Sequence, residues 1–357
     1  MSRLHIFNAG PGVLPGEVTD SAAEAVRGFA GTGMSLLTVS HRSKEWGEVM
    51  EETLCLWREL MDLPEEYSVV LVGGGASLQF LLVAMNLLER RAGYLDTGVW
   101  AHKALVEAQG IGNAYAVASS EDRGYTYIPK GYDIPSDLDY FHVTSCNTVY
   151  GTQLQGDMAC PVPLVADMSS DILSRRIDVE RYAVIYGGAQ KNAGTAGVSF
   201  AIVRRDVLGR VSRHIPTLLD YRTYIGHGSM FNTPPVFPIF VMNRTLRWLK
   251  SIGGVDAVEK VNRRKAAALY AALDSSRVFH PKAAVEDRSM MNVTFEMAPG
   301  YERLEEDFIR YARERDIVGI KGHRFAGGFR ASLYNACTEQ DVAALAEAIK
   351  LFDKVNR

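Results

Sequence analysis

Seven short runs in the first two-thirds of the chain constrain its fold more than any other feature. They are SVVLVG (68–73), AGYLDTG (92–98), NAYAVAS (113–119), YFHVTS (140–145), PLVADMS (163–169), YAVIYG (182–187) and GVSFAIVR (197–204). Each is near-continuous in apolar or β-branched residues, the pattern of strands covered on both faces. Helical patterns lie between several of them, at 77–91 and at 100–110, where Gly110 suits a C-cap. Strand–helix alternation predicts an α/β fold with a mostly parallel sheet, which binds ligands at the carboxyl ends of its strands. A chain of 357 residues exceeds one ordinary core, so two domains are expected.

The character changes after about residue 240. The stretch 244–276 reads as one long helix, polar on one face, and MMNVTFEM (290–297) alternates as a half-buried strand. Amphipathic helices are expected at 301–315 and 339–356, flanking GGFRASLYN (327–335). Together these predict a smaller α+β domain carrying the C-terminus.

Composition excludes several classes. A net charge of −3 with no long basic run argues against nucleic acid. The longest apolar segment, FLLVAMNLL (80–88), falls far short of the ~18 residues of a membrane span. The N-terminal MSRLHIFNAGPG lacks the apolar core of a signal peptide. Cys55, Cys146, Cys160 and Cys337 are scattered without a C-x-x-C pair, which predicts free buried thiols in a cytoplasmic protein and no metal site.

The stretch YGGAQKNAG (186–194) sets a single lysine, Lys191, among glycines and alanines straight after an apolar strand. A lone lysine is ordinarily solvated surface. The alternative is a desolvated amine, whose lowered pKa suits it to Schiff-base chemistry. GGGASLQF (73–80) lies between a strand and a helix, where free backbone N–H groups hold a phosphate or merely make a tight turn. It is neither a Walker A loop nor a dinucleotide fingerprint, because Leu78 stands where the last glycine belongs. Asp167, at the end of a buried strand, reads either as a helix cap or as the partner of a protonated heterocyclic nitrogen. Trp100 is either core or a ring-stacking platform. Two His-Arg pairs, His41-Arg42 and His323-Arg324, and Arg330 are either solvated charges or a site for anions.

Read together, FNAGPGVLP (7–15), VSHRSKE (39–45), DMSSDILSRRIDV (167–179), YGGAQKNAGTAG (186–197), GSMFNTPP (228–235) and KGHRFAGGFRASLYNA (321–336) resemble the phosphoserine aminotransferases, from residue 5 to the C-terminus. The resemblance implies a class V, fold type I enzyme dependent on pyridoxal 5′-phosphate, with a mostly parallel seven-stranded sheet. It implies a large cofactor-binding domain of residues 16–260 and a small domain of 1–15 and 261–357. It also implies a cytoplasmic homodimer that moves an amino group from glutamate to 3-phosphohydroxypyruvate, with 4-phosphohydroxythreonine as a second family substrate.

By the same resemblance, Lys191 holds the cofactor covalently, Asp167 faces its ring nitrogen, Trp100 stacks on the ring and Thr148 lies near its phenolic oxygen. Ala76, Ser77 and Gln190 surround its phosphate, and Asn232 and Thr233 reach the cofactor phosphate of the other subunit. His41, Arg42, His323, Arg324 and Arg330 form the substrate pocket, with Arg330 on the α-carboxylate. Two departures stand out. Ala76-Ser77 replaces the Gly-Arg of some relatives, and Cys146-Asn147 replaces the Asn-Glu that precedes the threonine in many. The small residues of YGGAQKNAG are expected to let the cofactor approach the backbone.

Overall fold

All seven apolar runs form strands of one sheet. In the computed structural model, which describes residues 4–356, they are β1 (Tyr67–Gly73), β2 (Arg91–Asp96), β3 (Asn113–Ser119), β4 (Tyr140–Thr144), β5 (Leu164–Asp167), β6 (Tyr182–Gly188) and β7 (Val198–Arg204). Their spatial order is β1-β7-β6-β5-β4-β2-β3. Only β7 runs antiparallel to its neighbours. The other six therefore end on one edge, which gathers the residues that follow them.

Helices cover both faces. On one side lie α3 (Ser77–Leu87), α4 (Val99–Gln109) and α5 (Tyr221–Gly226), packing Phe80, Leu105 and Tyr221 against Tyr94, Tyr140 and Tyr186. The other side is covered by α2 (Lys44–Leu60) and α6 (Val236–Ser251), which bring Trp46, Trp57, Met242 and Leu249 onto Leu71, Ile185 and Phe200. An earlier helix, α1 (Gly16–Arg27), packs against α6 through Val18, Ala22 and Val241. Neither α1 nor α2 is foreseen from the sequence pattern. The start of α2 is nonetheless capped, since Ser43 Oγ accepts from the backbone N–H of Trp46 at 3.2 Å.

The single helix expected over 244–276 is two. After α6 the chain breaks at Gly253 and Gly254, both at positive φ, and resumes as α7 (Gly254–Asp274). Glycine tolerates that geometry and other residues resist it, so a continuous amphipathic pattern hides a sharp break. Beyond α7, strands β8 (Phe279–Pro281), β9 (Asn292–Met297) and β10 (Phe329–Ser332) form an antiparallel sheet. With α7, α8 (Glu305–Arg313) and α9 (Glu339–Asn356) it encloses a separate core of Phe279, Phe295, Phe308, Phe329 and Phe352, which Phe7 joins from the N-terminal segment. The α9 N-terminus is a reciprocal cap, with Thr338 Oγ1 accepting from Asp341 N and Asp341 Oδ2 accepting from Thr338 N.

The four cysteines are free, but not all are buried as the sequence predicts: Cys55 lies on the outer face of α2, and Cys160 is half-buried. Among the described residues no helix is long and apolar enough to cross a membrane.

Candidate active site

A cavity of about 140 Å³ opens where the parallel strands end, lined by Gly75 to Ser77, Phe80, Trp100, Thr144, Cys146, Thr148, Asp167, Ser169, Ser170, Gln190 and Lys191. The lining residues lie at or follow the ends of five parallel strands, β1, β2, β4, β5 and β6. The strand β1 delivers the glycine turn and the N-terminus of α3, β2 delivers Trp100 in the first turn of α4, and β5 ends in Asp167. Lys191 follows the end of β6. Because β5 and β6 are adjacent and parallel, with Asp167 paired to Tyr186, Lys191 emerges beside Asp167 as the strand alternation predicts.

The Lys191 amine is not solvated surface. It donates to Thr148 Oγ1 at 2.7 Å and to Ser170 Oγ at 2.8 Å, and those hydroxyls are 2.5 Å apart. Burial holds its pKa below the ordinary lysine value, against the pull of the Asp167 charge. Burial raises the Asp167 carboxyl, but Ser169 opposes it by donating to Oδ1 from both its backbone N–H (2.9 Å) and its hydroxyl (2.6 Å). Among the described residues no donor reaches Asp167 Oδ2, and the residue lines the cavity. No side chain caps α3 at Ala76; Leu78 N and Gln79 N donate to Gly75 O and Ala76 O, which leaves the N–H groups of Ala76 and Ser77 and the helix's positive end beside the cavity.

These groups fit a planar, phosphorylated heterocycle. The indole of Trp100 supplies a stacking face, a buried carboxylate suits a ring nitrogen, an uncapped helix start suits a phosphate, and a desolvated amine suits a carbonyl carbon. Ser169, Ser170 and Cys146 also line the site and are absent from the sequence-level list. The serines had a signal, following Asp167 directly in DMSS. Cys146 Sγ lies 3.1 Å from Ser289 Oγ, and Asn147 is bonded to Thr97 and Thr152, so the replaced pair is absorbed into local packing.

Within YGGAQKNAG, Gly187 has a packing purpose besides the expected one. Neither Gly187 nor Gly188 lines the cavity. A Cβ on Gly187 would stand 2.7 Å from the Phe200 ring and 2.9 Å from Ser169 Cα. The missing side chain lets β6 pack against β7 and against the loop that carries Ser169.

Arg330, on β10, reaches over from the smaller sheet, and its Nη1 donates to Thr148 O at 3.3 Å. Its Nε is buried without a partner, and burial lowers the guanidinium pKa. An orphaned buried N–H calls for an acceptor from outside the chain, and a carboxylate fits the fork. His323 is likewise held below its usual range by burial and by the charges of Arg330, Arg324 and Lys103, and His323, Arg324 and Arg330 stand outside the cavity's own lining. Lys103, which sits 4.7 Å over the Trp100 ring, is a further addition to the sequence-level list. His41 and Arg42 lie on the loop before α2, and Asn232 and Thr233 on an exposed loop before α6. None of these four lines the cavity of the single chain. The second loop does approach the end of β1, where a Cβ on Gly73 would touch Pro235 at 3.8 Å.

Such a site, at the carboxyl edge of a sheet of this order, belongs to a known class. Residues 4–345 match the class-V aminotransferase family, and the chain belongs to it. Within that class it falls among the phosphoserine aminotransferases. It is 53% identical to the phosphoserine aminotransferase of Bacteroides fragilis, over 99% of this chain and 100% of that one. It is 54% identical to that of Bacteroides thetaiotaomicron with the same coverage. Among solved structures, the phosphoserine aminotransferase of Bacillus circulans subsp. alkalophilus superposes with a TM-score of 0.95 at 40% identity, over 99% of both chains. The pyridoxal-phosphate-bound enzyme from Trichomonas vaginalis gives 0.93 at 36% identity, over 98% of this chain and 100% of that one.

Proposed function

We propose that the protein catalyses amino transfer between L-glutamate and 3-phosphohydroxypyruvate, giving O-phospho-L-serine and 2-oxoglutarate with pyridoxal 5′-phosphate. The observation that carries this reading is the Lys191 amine, desolvated and held between Thr148 and Ser170 in one cavity with Asp167. When bound, the cofactor supplies an electron sink for the substrate Cα. Lys191 anchors it, and the lowered pKa favours the neutral amine that this attachment requires. Freed by the incoming amino acid, the same amine takes the Cα proton and later returns it, as general base and then general acid. Asp167, its Oδ1 held by two donors from Ser169, favours positive charge on the ring nitrogen. The start of α3 and Gln190 bind the cofactor phosphate, and Trp100 stacks on the ring.

Arg330 takes the α-carboxylate common to every substrate, consistent with its orphaned Nε. His323 and Arg324 serve the phosphate or the distal carboxylate of glutamate. Asn232, Thr233, His41 and Arg42 act in the site of a partner subunit, so the working unit is a homodimer. The proposal extends to 4-phosphohydroxy-L-threonine, which offers the same two anions, and to a cytoplasmic location. The large domain is residues 16–260 and the small one 1–15 with 261–357. A transamination assay comparing 3-phosphohydroxypyruvate with its dephosphorylated analogue tests the reading. Strong preference for the phosphorylated acid is expected, and equal rates would refute the anion pocket.

A further inference from the structure

A chain of buried amides connects the lysine-bearing segment to the smaller sheet, and nothing in the proposed chemistry uses it. Asn192, next to Lys191, donates from Nδ2 to Ser170 O at 3.0 Å, and its Oδ1 accepts from the backbone N–H of Asn335 at 2.9 Å. The Asn335 side chain donates to Leu173 O at 2.9 Å and accepts from Asn262 Nδ2 at 2.9 Å. Asn262, on α7, also donates to Ser174 O at 3.1 Å. All three asparagines are buried, Asn262 completely. Both Asn262 protons are directed at acceptors, while its Oδ1 is left buried without a donor. Its orientation is therefore dictated by Asn335 and Ser174 at a cost elsewhere.

The places joined matter. Ser170 is one of the two hydroxyls holding the Lys191 amine. Asn335 sits on the turn leaving β10, the strand that carries Arg330. That turn is clamped from α7 as well. Lys265 is buried and donates to Leu333 O, Tyr334 O and Cys337 O at 2.8–2.9 Å. Tyr334 in turn donates to Ala9 O at 2.6 Å. Beside the small apolar contact of Cys146 with Met291 and Tyr334, the link between the two cores near the site is thus made of directional hydrogen bonds. Their length and direction specify a distance.

We propose that Asn335 is a positioning residue. Its side-chain amide ties the turn to Leu173 O and Asn262 while its backbone N–H holds Asn192, and together these contacts set the separation of the Arg330 guanidinium from the Lys191 amine. That separation must match the span from carboxylate to Cα–H, which is the same in every α-amino acid. The inference rests on the proposed aminotransferase reading, in which Arg330 takes the carboxylate and Lys191 the proton.

The test follows the glutamate half-reaction of the holoenzyme by its absorbance change, which needs no keto acid. Asn335→Ala deletes two buried hydrogen bonds, to Leu173 O and from Asn262, and is expected to raise the glutamate concentration for half-saturation about tenfold (~1.4 kcal/mol). The limiting rate should fall much less. Asn192→Ala removes the donor to Ser170 O, so in that variant the pH midpoint of the bound cofactor's absorbance, read without substrate, should shift as well. Asn262→Ala, farther from the reacting atoms, should raise half-saturation in smaller measure, and it replaces Asn335→Ala as the test should that variant fail to fold. The double variant should be no worse than Asn335→Ala alone, since both break one chain. Lowered thermal stability with half-saturation and absorbance midpoint unchanged would overturn the proposal and leave the amides purely structural. Wild-type holoenzyme inert to glutamate would overturn the reaction itself along with it.

Discussion

Lys191 and Asp167 carry pKa shifts that run toward neutrality for both, and each shift has a consequence in solution. Burial lowers the lysine, so its neutral form persists to lower pH than that of an exposed lysine. The rate at which cofactor-free protein captures pyridoxal phosphate should therefore reach half its maximum below the ordinary lysine value of 10.5, and decline as pH falls through that midpoint. A stopped-flow pH series on the apoprotein measures it, and a midpoint at or above 10.5 would refute the desolvated amine. Lys191→Ala should abolish both turnover and the yellow colour that borohydride bleaches. Arg330→Ala should raise KM for glutamate and for O-phosphoserine by a similar factor, about 100-fold, as expected for a charge-assisted bidentate pair. Lys191 and Asp167 were legible in the sequence because each sets a charge at the end of an apolar run, where a charge needs a reason. Lys265 was not. In VNRRKAAALY it reads as one more solvated cation, and only the turn at 333–337 folding back onto α7 buries it.

At the level of elements, the strands were legible because most are buried on both faces and so carry a near-continuous apolar signal; β5 and β6 are buried at every position. The edge strand β3, read as covered on both faces, is buried only at Ala114. The helices fared unevenly. The span of α9 matches its pattern, but α1 and α2 were missed, since their apolar residues are diluted by acidic and small ones (GEVTDSAAEAVR, KEWGEVMEETLCLWREL). The role of Gly187 was equally hidden, because what it must avoid lies on β7 and on the loop after β5, both distant in sequence. Here the geometry makes a sharp prediction. In Gly187→Ala the new methyl meets the Phe200 ring and the Ser169 backbone, so β6 must shift. Overpacking of this kind destabilises by about 1–3 kcal/mol. Denaturant unfolding of the variant should show that loss. Because Ser169 supports Asp167, cofactor affinity should fall with it. A variant as stable as the parent would mean that the sheet relaxes freely there.

The whole molecule poses a question of assembly, because four of the expected anion-binding residues stand on two loops away from the cavity. His41 with Arg42 and Asn232 with Thr233 are on surface loops. Exposed apolar side chains accompany them: Met34 and Leu37 before the first loop, and Phe231 beside the second. Apolar residues flanking unpaired polar ones are what an interface between two copies would cover. A two-fold dimer would carry each loop to the partner's Lys191 cavity, since such an interface is self-complementary. This arrangement has a signature that no point variant gives alone. Lys191→Ala removes the anchoring amine, and His41→Ala with Arg42→Ala removes part of the anion pocket, so each homodimer should be nearly inactive. In a mixed dimer with shared sites, one site collects both defects and the other receives neither. Random mixing of equal amounts makes about half the dimers mixed, each with one intact site. Activity should then recover to about a quarter of the wild-type value. If each chain instead built its site alone, every site would keep one defect, and unfolding, mixing and refolding the two variants would recover nothing.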